Sequence, residues 1–140
     1  MILYLDTSAL VKLFIEEAGS PEVRTAARLA GQSATSRIAY VEFLAALARR
    51  EREGLPPAVS QEIRNQFEAV WPDLVVIEVS RAITVRAAAC ARAHRLRAYD
   101  AVHLASAQEV HETAPDVVFA CFDARLNDAA KAQGMRVLYE

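Results

Sequence analysis

Short runs of apolar residues alternate along this chain with longer stretches in which apolar side chains recur every three or four positions. Ile2-Leu-Tyr-Leu5 is the first such run and ends on an acid; Leu74–Ile77, Val117–Phe122 and Met135–Leu138 repeat the pattern, and Gln32–Thr35 reads as a further brief strand. The stretches between them have helical spacing. A helix capped by Thr7 or Ser8 is expected to run to about Glu17, with Leu10, Leu13 and Phe14 on one face. A second follows from Pro21 to about Ala30. The longest spans Ser36 to Glu53, where Gly54 and the Pro56-Pro57 pair stop it. Others fit Pro57–Trp71, Arg81–His94, Asp100–His111 and Ala124–Gln133. Apolar strands alternating with helices predict a parallel sheet buried on both sides. The expected architecture is one α/β domain over residues 1–140, a three-layer α/β/α sandwich with a central sheet of about five short strands.

Composition supports that picture and narrows the setting. Hydrophobic residues make up 54 % of the chain and only four glycines occur, which favours helices over an all-β or disordered chain. Cys90 and Cys121 lie in apolar runs without metal-ligand spacing and read as buried hydrophobes of a reducing compartment. The first residues lack a basic leader, Asp6 and Lys12 interrupt them, and no later run approaches the roughly 18 apolar residues of a membrane span. A soluble, cytoplasmic protein without a membrane partner is expected. The net charge of −2 gives no support for a nucleic-acid partner. Of the 16 basic residues 14 are arginine, a good phosphate donor, although a GC-rich coding bias gives the same preference.

Four acids stand apart from those on polar helix ends. Asp6 and Asp123 each close an apolar strand, and ligands of open parallel sheets bind beyond the carboxyl ends of strands. Each also reads as the N-cap of the helix that follows. Glu42 is the only charge between Ile38 and Ala48, where an unpaired carboxylate is costly to bury. Asp100 opens another apolar helix and again has a capping alternative. If these four gather, their repulsion calls for divalent cations, and Mg²⁺ or Mn²⁺ prefers oxygen ligands. Such ions can polarise a phosphodiester and activate water, so hydrolysis of nucleic acid is the matching reaction.

The segments Leu5-Asp-Thr-Ser-Ala-Leu10, Ser36 through Val41-Glu42, Tyr99-Asp-Ala-Val-His-Leu-Ala105 and Phe122-Asp-Ala-Arg-Leu126 fall in the order and spacing of PIN-domain nucleases. From Ile2 to about Leu138 the chain resembles that family, and most closely the VapC-like ribonuclease toxins of bacterial toxin–antitoxin modules. The resemblance implies a Mg²⁺- or Mn²⁺-dependent endoribonuclease with Asp6, Glu42, Asp100 and Asp123 as catalytic acids and metal ligands. It implies that Ser8 and Ser36 orient those acids, that RNA is the substrate, and that the partners are a second copy of the chain and a VapB-like antitoxin. One position departs from the family pattern. Cys121 stands where Thr or Ser is usual two residues before the last acid, and a thiol is a weaker donor. His103 lies one helical turn beyond Asp100 and could reach the site, but its apolar helix favours a place in the core.

Two other readings compete. A phospho-aspartyl phosphatase or receiver domain would use Asp6 or Asp123 as nucleophile. The phosphatase pattern wants a second acid where Ser8 stands, and the receiver wants a lysine at a late strand end, whereas Lys131 falls on a helix. A non-catalytic RNA- or protein-binding module on the same fold would be marked by loss of acids, and none of the four is missing.

Overall fold

The computed structural model describes residues 1–140. In chain order the elements are β1 (Ile2–Leu5), α1 (Thr7–Val11), α2 (Ser20–Ala30), β2 (Gln32–Ser36), α3 (Ile38–Arg52), α4 (Pro57–Val70), β3 (Val75–Ile77), α5 (Arg81–His94), α6 (Ala98–Thr113), β4 (Val118–Ala120), α7 (Ala124–Ala132) and β5 (Arg136–Val137), with a short 3₁₀ turn at Trp71–Asp73. All neighbouring strands pair in parallel, in the order β3-β2-β1-β4-β5. Strand order therefore reverses beside β1: the chain moves outward through β2 and β3, then returns to lay β4 on the other side. The crevice at such a reversal opens past the carboxyl ends of the two strands involved, here β1 and β4. Asp6 and Asp123 follow those ends, and the Asp6 amide donates to the Ala120 carbonyl at 3.1 Å.

Alternation along the strands divides the interior into two cores. Leu3 and Leu5 of β1 face a cluster with Phe43, Leu47, Phe67 and Trp71 from α3, α4 and the 3₁₀ turn. Tyr4 faces the other way, among Ala87, Ala101, Leu104, Ala105 and Phe119, under α5, α6 and α7. The first core is aromatic: Phe43 and Phe67 stack at 3.9 Å between centroids, and Phe14 meets both edge-on. The second is rich in alanine, which lets helices approach closely.

Two expected elements differ. The first helix was expected to reach about Glu17, yet α1 ends at Val11. The segment after it turns so that Phe14 enters the aromatic core, and Ser20 fixes the turn by donating to the Ile15 carbonyl and accepting from the Glu17 amide. Gly19 follows with φ +90, and a Cβ there would lie 2.7 Å from the ring of Phe122, so only glycine fits. The sixth helix starts before Asp100 instead of on it: Arg97 is the cap residue and Asp100 sits in the first turn.

Candidate functional site

All four acids singled out in the sequence line one pocket of about 330 Å³, together with Thr7, Ser8, Arg97, His103 and Phe122. They arrive from four elements: Asp6 from the end of β1, Glu42 from α3, Asp100 from α6 and Asp123 from the loop after β4. A larger hollow, about 550 Å³, lies at the α3–α4 corner around Glu51, Pro56 and Arg64 and holds a single acid.

Asp6 is both a cap and a pocket residue. Its Oδ1 accepts from the Ala9 amide at 2.9 Å and the Ser8 hydroxyl at 2.6 Å, while only 5 % of the residue is exposed. Burial pushes its carboxyl above the ordinary range, against the opposing pull of His103 and those two hydrogen bonds. The Ser8 oxygen also accepts from the Phe122 amide at 3.3 Å.

Glu42 is held on two sides. Its Oε1 accepts from Thr7 Oγ1 at 2.7 Å and from His103 Nε2 at 2.8 Å. Burial works to raise the Glu42 carboxyl, but the hydrogen bonds from His103 and Thr7 outweigh it and hold the group below its ordinary value. An ionised carboxylate only accepts, so Nε2 of His103 carries the proton facing it. On its other side the ring meets the Tyr4 hydroxyl through Nδ1, at 2.9 Å. The expected core position of His103 is observed, since it is 2 % exposed, but its ring does more than pack. It joins the β1 tyrosine to the acid of α3. The sequence offered Thr7 only as a cap of the first helix, a part that Asp6 takes instead, and Tyr4 looked like any strand residue.

Asp100 and Asp123 are freer. Asp100 has Arg97 at 3.6 Å, on a guanidinium arm that is 88 % exposed. Asp123 caps α7 through the Leu126 amide at 2.9 Å and is otherwise turned to solvent. Behind it, Cys121 Sγ accepts from the Asp123 amide at 3.1 Å, and burial followed by the charge of Asp6 pushes that thiol far above its ordinary value. The thiol stays neutral and serves backbone more than carboxylate. Asn127 fixes the same segment by donating to the Cys121 carbonyl at 3.0 Å. Ser36 differs from its expected role: its buried hydroxyl accepts from the Ile38 amide at 3.2 Å at the entry to α3, and none of its hydrogen bonds reaches an acid.

Against this geometry the comparisons are decisive. The family model of the PIN domain matches residues 3–132. The chain belongs to the PIN-domain family. This PIN domain is 37 % identical over 137 residues to Ribonuclease VapC45 of Mycobacterium tuberculosis, covering 97 % of this chain and 94 % of the relative. Ribonuclease VapC35 of the same organism is 34 % identical over 144 residues, 98 % of this chain and 96 % of its own. Among solved structures, a toxin–antitoxin complex from Klebsiella pneumoniae has a chain of the same fold, with TM-score 0.70, 22 % identity and coverage of 99 % and 98 %. No helix is long and apolar enough to cross a membrane.

Proposed function

We propose that this PIN domain is a metal-dependent endoribonuclease and the toxin half of a toxin–antitoxin pair. The observation that carries the reading is the convergence of Asp6, Glu42, Asp100 and Asp123 on one pocket, in a chain whose relatives carry the name ribonuclease. The name of the Klebsiella complex supports an antitoxin partner, and a VapB-like antitoxin and a second copy of the chain are the partners proposed.

The donor set suits a small hard cation. Four carboxylates face one guanidinium at the rim, and no three His, Cys, Asp or Glu side chains are already gathered closely enough to hold a metal ion. Mg²⁺ commonly takes one or two carboxylates and keeps several waters, so an open acidic pocket fits it better than it fits zinc. Bound there, Mg²⁺ or Mn²⁺ would neutralise charge on a phosphodiester and acidify water for in-line attack. The chain's own work is positioning. Ser8 and the Ala9 amide fix Asp6, and Thr7 with His103 fixes Glu42 as a carboxylate.

Incubation with RNA tests the reading: cleavage is expected with Mg²⁺ or Mn²⁺ and is expected to stop with chelator. With water as nucleophile, products carry 5′-phosphate and 3′-hydroxyl ends. A 2′,3′-cyclic phosphate would overturn the mechanism, since it requires attack by the ribose. Expression without an antitoxin should arrest bacterial growth, and Asp6→Asn should relieve the arrest at equal protein level.

A further inference from the structure

Three hollows meet at the acids. The pocket that all four line opens on one side into a hollow of about 460 Å³ and on the other into one of about 330 Å³. Arg97 and Asp100 border all three; Glu42 borders only the pocket and the first neighbour, Asp123 only the pocket and the second. The acids therefore occupy the middle of one continuous groove whose ends differ in chemistry.

At the Glu42 end stands Tyr99, a residue 60 % exposed, beside Ala98. At the Asp123 end stand Arg95 and Arg125, both exposed and neither in an ion pair. Arg125 Nη1 donates to the Arg95 carbonyl at 3.2 Å, tying the start of α7 to the corner between α5 and α6. That corner has a peculiarity. Arg95 ends α5 with φ 55 and is the only residue other than glycine with positive φ. Glycine is the residue helices usually place there, so backbone geometry does not explain the guanidinium.

We infer that the groove binds single-stranded RNA, with a base stacked on Tyr99 to one side of the acids and a phosphate held by Arg95 and Arg125 to the other. The phosphodiester between them then lies over the four carboxylates. The inference rests on the ribonuclease reading and adds the path of the strand. An exposed aromatic face takes any base, but only an unpaired base can reach it. Two guanidiniums without carboxylate partners, placed beside the acids, supply the phosphate contact.

The test is fluorescence anisotropy of a labelled twelve-nucleotide single-stranded RNA of mixed sequence, titrated with the full chain in chelator at several salt concentrations. Tyr99→Ala should weaken binding roughly tenfold with an unchanged salt slope, and Tyr99→Phe should bind as the parent does. Arg95→Gly and Arg125→Ala should each lower the slope of log K against log salt by about 0.7. Arg95→Gly should also melt at or above the parent, because it relieves the left-handed backbone. That pairing of firmer fold with weaker binding is one that a purely structural arginine does not give. Parent-like affinity and slope in all the variants would overturn the groove, as would no binding by the parent or equal binding of duplex RNA. Should the parent bind in this groove-dependent way yet cleave nothing with Mg²⁺, the ribonuclease reading fails and the groove stands. Should parent and variants cleave and bind alike, the groove fails alone.

Discussion

Asp6 and Glu42 are held from several sides, whereas Asp100 and Asp123 stand nearly clear of side-chain partners. In the first half of the pocket, Ser8, the Ala9 amide, Thr7 and His103 all donate to the two carboxylates, and Tyr4 backs the imidazole from the core. In the second, Asp100 has an exposed arginine at 3.6 Å and Asp123 one backbone amide. The difference follows from where each acid enters. Asp6 and His103 are almost fully enclosed, and a buried charge needs hydrogen bonds. Asp123 lies at the open rim, where water supplies it; Asp100 is about as exposed as Glu42, 26 % against 24 %, but no enclosed imidazole faces it. A pocket of this kind has a fixed wall and an adjustable one, which suits a metal ion that must also accept a moving strand.

The strongest test of that division compares amide variants. Asp6→Asn and Asp100→Asn should each lower RNA cleavage roughly a thousandfold or more, equivalent to about 4 kcal/mol of transition-state stabilisation. Saturating Mg²⁺ should stabilise the parent by about 2.7 kcal/mol at a hundredfold excess over Kd, and both variants by clearly less. Asn caps a helix nearly as well as Asp, so at Asp6 the change removes charge and leaves the cap. If Asp100→Asn cleaves normally and responds to Mg²⁺ like the parent, the adjustable wall takes no part in the chemistry.

A smaller effect is expected from removing the support instead of the acid. His103→Leu strips Glu42 and Tyr4 of a partner and should reduce cleavage 10- to 100-fold, the usual cost of losing a group that orients a ligand. Raised Mg²⁺ concentration should restore part of the loss, and His103→Gln, which can still donate to Glu42, should retain more activity. A leucine variant that is less stable but equally active at every Mg²⁺ concentration would reduce His103 to a packing residue.

Much of this was legible in the chain. Four apolar runs, each ending near an acid or a turn, marked most of the strands, and the four acids stood out because they adjoined or interrupted apolar sequence. Sheet order was not legible, because β1 pairs with β4 across more than a hundred residues and periodicity carries no information on partners. The end of α1 was missed because Leu13 and Phe14 keep helical spacing while packing from a turn. Asp100 resembled a cap because Asp is a leading cap residue and the apolar run follows it, whereas the helix begins two residues earlier, at Ala98. His103 was placed in the core correctly, but its bond to Glu42 spans 61 residues and has no local signature. The i, i+3 spacing from Asp100 was the one available hint.

Within the fixed wall, Asp6 and Glu42 should answer pH in opposite ways when metal is absent. The Asp6 carboxyl is raised in the folded chain, so its ionisation opposes folding: stability is lost as pH climbs from the ordinary carboxylate range to the raised value. The Glu42 carboxyl is lowered, so its contribution is present above the ordinary value and is lost as pH falls through the depressed one. In chelator at pH 7, Asp6→Asn should therefore melt at or above the parent. Glu42→Gln should melt lower, by an equivalent of about 1–2 kcal/mol, as two charge-assisted hydrogen bonds become neutral ones. On acidification the Asp6 advantage should fade first. Melts of the same sign for both variants would mean that the two acids share one environment after all.

The smallest expected effect concerns Ser36, which the family resemblance placed beside the acids and the structure places at the end of β2, just before α3. Its hydroxyl accepts from the Ile38 amide and sits fully buried. Ser36→Ala leaves that amide without its acceptor and opens a space one oxygen in size, a cost of about 1 kcal/mol. Because the hydroxyl holds helix backbone and not a carboxylate, cleavage should stay within about twofold of the parent at saturating Mg²⁺, against the 10- to 100-fold expected for a residue that orients a ligand. Ser8→Ala is the internal control, since that hydroxyl does hold Asp6 at 2.6 Å. Measured side by side, the serine that touches an acid should lower activity and the serine that touches only backbone should lower only the melting temperature. Equal losses of activity would place Ser36 back among the residues that position the acids, acting through the entry angle of α3 on Glu42.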